Sequence, residues 1–321
     1  MSDEQKNCES RDLLSAHLEL AHKNYNHVED GEVGSRFKSW EHCHKAFLSK
    51  RGKDLSKEDY DFLTLNLAFY LASWGMYRGS SFLLDRDYKA HRKVVEICME
   101  SQAQTRQYDL LWDYEPSEAN KSLASKLLFG DGQEGSSGLV DKIRGAYGKK
   151  EDVEESSASS TDDDPDEKES KTKADEEGRP SNILISKILL GIFGCIPAFD
   201  TYFCKAFSEL DKDGKTPKLK KEDFGRICDF ALAHRASLCY PNDSIYYPPM
   251  KCLDLALWRM GFLEENAELI KASYKKESLN EEEKKKLDKA WAALKKMGFQ
   301  NEESPESKET IESITKKLLP R

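Results

Sequence analysis

At 321 residues the chain is long enough for one large domain or two of ordinary size. Charged residues make up 34%, hydrophobic residues 38%, and the formal net charge is -9. That balance argues against general nucleic-acid binding and against docking on an anionic membrane surface.

The opening MSDEQKNCESRD is polar and lacks the apolar run of a signal peptide. No two of the eight cysteines have C-x-x-C spacing, so they read as reduced core thiols in a cytoplasmic protein. The first fifty residues predict one or two helices. One stripe is Leu13, Leu14, His17, Leu18, Leu20 and Ala21; after a break at Gly31 to Ser35 the other is Phe37, Trp40, Cys43, His44, Phe47 and Leu48. His42, Cys43 and His44 suggest a metal cluster. Residues two apart point to different sides of a helix, however, and no further ligand stands at a zinc spacing, so no metal is expected.

Ser56 and Asp59 have the capping-box arrangement and predict a helix from Lys57. Tyr60, Leu63, Leu67, Phe69, Tyr70, Leu71 and Trp74 then cover most of the helix circumference, which predicts burial on more than one face. The stretch from Leu65 to Leu84 is therefore expected to be the element the chain packs around. Gly75 and Gly79 mark either the end of this helix or the close approach of another backbone. Between and after them stand Arg78, Ser80 and Ser81. A permanently charged guanidinium there either pins two helices through a carboxylate or, with the hydroxyls and free backbone N–H groups, receives an anion.

A second helix is predicted from Asp85 to Tyr114, with Tyr88, His91, Val94, Val95, Cys98 and Met99 inward. His91 reads as structural, with a base near Arg78 as the alternative. A shorter helix follows from Ser117 to Leu128, with Pro116 in its first turn. Phe129 to Gly148 reads as a glycine-rich loop, because neither the preceding strand nor the following helix that a dinucleotide fingerprint requires is evident. Residues 149–180 hold thirteen acidic and six basic residues and almost no large apolar one, so they are expected to be a disordered linker. They carry most of the net charge and leave the remainder near neutral.

Residues 182–199 form a second apolar stretch, too short for a membrane span and interrupted by Lys187 and Pro197. It predicts a buried helix capped by Ser181 or Asn182. Its small residues Ser186, Gly191, Gly194, Cys195 and Ala198 suggest that it crosses the Leu65 to Leu84 helix glycine against glycine. Lys187, Asp200 and Tyr202 are the expected companions of Arg78, with Asp200 its counter-ion.

The segment from Ala206 to Phe230 carries Asp211, Asp213, Gly214 and Glu222 between Phe207 and Phe224. Over this segment alone the chain resembles an EF-hand, which implies a calcium loop between two helices, with Glu222 in its last position. Lys215 stands at the fifth loop position instead of an oxygen ligand, Thr216 replaces the turn glycine, and Pro217 follows. The bare residues predict a charged helix–loop–helix connection with Asp211 and Asp213 as cap or turn residues. Further helices are expected over Phe224 to Leu238, from Pro249 to about Gly261, and as two amphipathic segments within Glu264 to Lys296. A last short helix is expected to reach Leu319.

The chain therefore reads as all-α. Two helical halves, 1–130 and 181–321, share one core, and 131–180 forms a loop and acidic insert. It has no Walker loop, nucleophile elbow, H-E-x-x-H or kinase signature, so no cofactor is implied and an enzyme is disfavoured. The first functional expectation is a non-catalytic binding or scaffold role toward another protein. The alternative is a small anionic ligand or nucleotide held by Arg78, Ser80, Ser81, Lys187, Asp200 and Tyr202. Nucleic-acid binding through Lys218, Lys220 and Lys221 comes last, because acidic residues alternate with them.

Overall fold

Every regular element among the described residues is a helix. The structure is a computed structural model and describes residues 13–19, 21–22, 38–79, 81–133, 136–147, 180–240, 245–274 and 280–296. Residues 13–19 are helical. The first half continues with α1 (Lys38–Lys50), α2 (Lys57–Ser73), α3 (Arg92–Thr105), the single turn α4 (Asp109–Trp112), α5 (Glu118–Phe129) and α6 (Leu139–Ala146). The second half holds α7 (Asn182–Ile192), α8 (Thr201–Leu210), α9 (Lys221–Ala233), α10 (Pro249–Tyr274) and α11 (Glu281–Lys296). The acidic insert expected over 149–180 and the short helix expected near Leu319 lie outside the described residues, apart from Pro180. Among the described residues no helix is long and apolar enough to cross a membrane.

The element at the centre is α7, not the Leu65 to Leu84 stretch. Residues 184–199 are buried without interruption. Ser181 caps α7 by accepting the Leu184 N–H. At the other end a helix leaves carbonyls without partners. Two side chains of α1 reach this end: Trp40 Nε1 donates to the Leu190 carbonyl at 2.8 Å, which also accepts the Gly194 N–H, and His44 Nδ1 donates to the Ile192 carbonyl at 2.9 Å. The buried, irregular backbone after α7 is satisfied in the same way. Ser186 Oγ accepts the Phe199 N–H at 3.0 Å and Asp254 accepts the Ala198 N–H at 2.9 Å. Residues from both halves join one hydrophobic core around this segment.

The reciprocal capping box at Ser56 and Asp59 starts α2 as expected. The expectation of burial on several faces fails. Leu63, Leu67, Tyr70 and Leu71 face the core, while Phe62, Leu65 and Phe69 are 47%, 53% and 59% exposed. Gly75 and Gly79 do not meet α7, because α2 has already ended. Gly75 has φ +73°. Its N–H bonds the Ala72 carbonyl and the Met76 N–H bonds the Leu71 carbonyl, which is the Schellman closure of a helix. α2 and α7 do pack together, but through Gly191, where an added Cβ would lie 2.6 Å from the Tyr70 ring.

Other boundaries also shift. Ser117 is the cap of α5, so Pro116 precedes the helix. The glycine-rich stretch contains α6, which the reading as a loop missed. The second helix breaks at Arg106, whose φ is +48°. α10 does not end at Gly261; it passes straight through and continues to Tyr274.

Two buried histidines make the fold acid-sensitive. His91 sits between two phenols: Nε2 is 2.6 Å from Tyr77 Oη and Nδ1 is 2.7 Å from Tyr147 Oη. One nitrogen of the neutral ring donates and the other accepts. Burial holds both His91 and His44 at a pKa of about 4, below the ordinary 6.5. Between those values the unfolded chain takes up protons that the folded chain refuses. Stability is therefore full above pH 6.5 and falls toward pH 4. At pH 5 each histidine is expected to cost about 2 kcal/mol relative to pH 7. Urea unfolding at the two pH values measures the slope, and the double variant His44→Gln/His91→Gln should lose most of it. A slope equally steep in that variant would assign the acid sensitivity to other groups.

Candidate functional site

Four charged side chains are gathered beside α7, inside the core. Lys187 and Lys251 are each 4% exposed, and Asp254 is 6% exposed. Asp200 is mostly buried. Lys187 comes from α7 and Asp200 from the N-cap of α8, where its other oxygen accepts the Phe203 N–H. Lys251 and Asp254 come from the first turns of α10. Lys187 Nζ is 3.4 Å from Asp200, and Lys251 Nζ is 2.8 Å from Asp254.

The two ammonium groups face one indole. The Nζ of Lys187 lies 4.8 Å from the centre of the Trp74 ring and that of Lys251 lies 5.8 Å from it. Lys251 also stands 5.4 Å from the Trp40 ring. Such cation–π contacts stabilise a desolvated ammonium but offer it no acceptor oxygen. An aromatic ladder continues from Trp74: Trp258 meets Trp74 edge-on at 5.8 Å and Tyr202 at 5.5 Å, and Tyr202 meets Phe262 at 5.4 Å. Trp74, Asp200 and Tyr202 are partly exposed, so this is the side on which the cluster reaches solvent.

The electrostatics follow from burial. Burial pushes the Asp200 carboxyl above its ordinary pKa of 3.8; Lys187 opposes that shift and the like charge of Asp254 adds to it. Burial also drives the Tyr70 phenol up, and Asp254, Cys43 and Asp200 push it further. The site therefore combines two cations, two carboxyl groups and aromatic walls. It can hold an anion against the ammonium groups.

Of the residues singled out by sequence, Lys187 and Asp200 are brought together, and Tyr202 lies in the first turn of α8 on the aromatic ladder. Asp200 pairs with Lys187 rather than Arg78. Arg78 is exposed in the loop after α2 and folds back over Gly75; among the described residues it makes no ion pair. Ser81 closes that loop, donating to the Met76 carbonyl at 2.7 Å and accepting the Leu83 N–H at 3.3 Å. Ser80 lies outside the described residues. Lys251, Asp254, Trp74 and Trp40 were not singled out. The signal that could have found the first two was a Lys and an Asp three apart inside the otherwise apolar run MKCLDLALW.

The metal-like motifs resolve into other contacts. His42 is exposed while Cys43 and His44 are buried. In the segment that resembles an EF-hand, the guanidinium of Arg226 occupies the carboxylates. It reaches Asp211, Asp213 at 3.4 Å and Asp223 at 2.8 Å, and also the Lys215 carbonyl at 3.0 Å. Glu222 is exposed, 3.8 Å from Lys220. An internal cation thus stands where a calcium loop would hold its ion, and among the described residues no cluster of His, Cys, Asp or Glu is arranged for a metal.

Compared with protein-family models, curated proteins and solved structures, the chain matches none.

Proposed function

We propose that this chain binds a small anionic ligand, of the phosphate or nucleotide-monophosphate class, at Lys187 beside Trp74. The observation that carries this reading is the coordination of Lys187. Its ammonium has three donors, yet among the described residues it finds one oxygen, Asp200 at 3.4 Å, and an indole face. A charge-assisted bond of that kind normally closes to about 2.7–2.9 Å. A buried ammonium held this loosely favours a further oxygen ligand. Trp74 and Tyr202, both partly exposed, bring aromatic side chains to the cluster and favour a ligand with a planar group. The free thiols of the seven described cysteines support a reducing, cytoplasmic setting.

A thermal-shift screen with inorganic phosphate and nucleoside monophosphates tests the proposal. A ligand at 100 times its dissociation constant adds about 2.7 kcal/mol to stability. The expected result is a shift in the wild type that disappears in the neutral-pair variant Lys187→Met/Asp200→Asn, which leaves no unpaired buried charge. A shift that persists in that variant, or no shift with any probe, counts against the site.

A further inference from the structure

Phe62, Leu65 and Phe69 sit three and four residues apart on the outward face of α2 and are 47%, 53% and 59% exposed. That spacing is the seam along which one helix pairs with another. We infer that the seam is the docking face for the chain's own C-terminal segment, residues 306–319, laid antiparallel on α2. This inference is independent of the ligand reading.

Three observations select this occupant. The first is size. Three half-exposed side chains present roughly 300 Å², well short of the roughly 800 Å² per partner that a stable complex between separate molecules buries. A tethered segment needs far less, because its effective concentration is of millimolar order. The second is pattern and reach. Ile311, Ile314 and Leu318 repeat the three-and-four spacing of the α2 seam, about two helical turns in all. From Lys296, where α11 ends, the chain to Ile311 can extend roughly 50 Å, about the diameter of a folded body of this size.

The third is charge, which sets the direction. With Asp59 already paired to Lys50, Asp54, Glu58 and Asp61 still outnumber Lys53 and Lys57 around the start of α2, and the exposed Arg78 follows its end. The C-terminal segment has the complementary order. Glu306, Glu309 and Glu312 outnumber Lys308 in its first half, and Lys316, Lys317 and Arg321 come last. Antiparallel docking sets its basic end on the acidic start of α2 and its acidic end near Arg78. It also opposes the two helix dipoles.

The test places p-benzoylphenylalanine at Leu65 in the full chain and maps the photocrosslinks by mass spectrometry. The expected product is an intramolecular crosslink to the peptide containing Ile311 to Leu318. Its yield should not change with protein concentration, and it should fall several-fold in Ile314→Asp, a substitution away from the core described above. A crosslink between two chains would give the seam to a second copy and overturn the inference. So would a crosslink to a co-purifying protein, to another part of the chain, or to nothing.

Discussion

Lys251→Met is expected to destabilise the protein by about 3–5 kcal/mol, because it strands the Asp254 carboxylate in the core. Asp254 is 6% exposed and has two tasks, pairing with Lys251 at 2.8 Å and accepting the Ala198 N–H at 2.9 Å. Adding Asp254→Asn should recover most of the loss. The amide keeps an oxygen for Ala198 and no longer carries a charge that needs Lys251. Denaturant unfolding of the two single variants and the double variant measures the coupling. If the double variant is as unstable as Lys251→Met alone, the cost lies in lost packing against Trp40 and Trp74, and the ion pair is incidental.

Gly261→Ala is expected to destabilise by about 3 kcal/mol, although alanine favours a helix by about 1 kcal/mol over glycine. Gly261 lies inside α10, where a Cβ would come 2.1 Å from the Tyr202 carbonyl oxygen and 2.7 Å from its carbonyl carbon. Backbone cannot rotate out of the way as a side chain can, so α8 and α10 must separate. Gly225 is the control. It also lies within a helix, α9, but an added Cβ meets nothing within 4 Å. Gly225→Ala should therefore gain up to about 1 kcal/mol. Opposite signs at the two glycines, read by urea or thermal unfolding, support the close α8–α10 crossing. A stabilising Gly261→Ala would contradict it.

These two sites also show what the sequence made legible. Local signals were readable: the Ser56 and Asp59 capping box, the Ser181 cap and the apolar run of α7 each depend on residues within a few positions. Gly261 was misread as a helix end because its reason is tertiary, the backbone of Tyr202 far earlier in the chain. Gly75 and Gly79 were read as a crossing point for the converse reason. Two glycines four apart look the same whether they close a helix or admit a neighbour. The exposed seam of α2 was hidden by counting apolar residues around the helix, since composition cannot distinguish a buried face from one left open.

The candidate site was half legible. Lys187 and Asp200 stood out because they interrupt or end an apolar run. Lys251 and Asp254 interrupt one too, but a helix expected from Pro249 to about Gly261 accommodates them as an ordinary pair three residues apart. Trp74 and Trp40 join the cluster only in three dimensions. Both lie in the first half of the chain, far in sequence from the lysines they face, and an indole in an apolar pattern reads as core.

The central claim is that an anion reaches Lys187 beside Trp74. It is tested most directly by the side-chain ammonium resonances of a uniformly ¹⁵N-lysine-labelled protein, titrated with inorganic phosphate and with adenosine 5′-monophosphate. The Lys187 signal is assigned by its loss in Lys187→Met/Asp200→Asn. The account predicts a saturable shift and slower proton exchange at Lys187, a smaller shift at Lys251, and no change at surface lysines. A Lys187 signal that stays put while both probes reach millimolar concentration would contradict it and leave the two ion pairs as fastenings of the core.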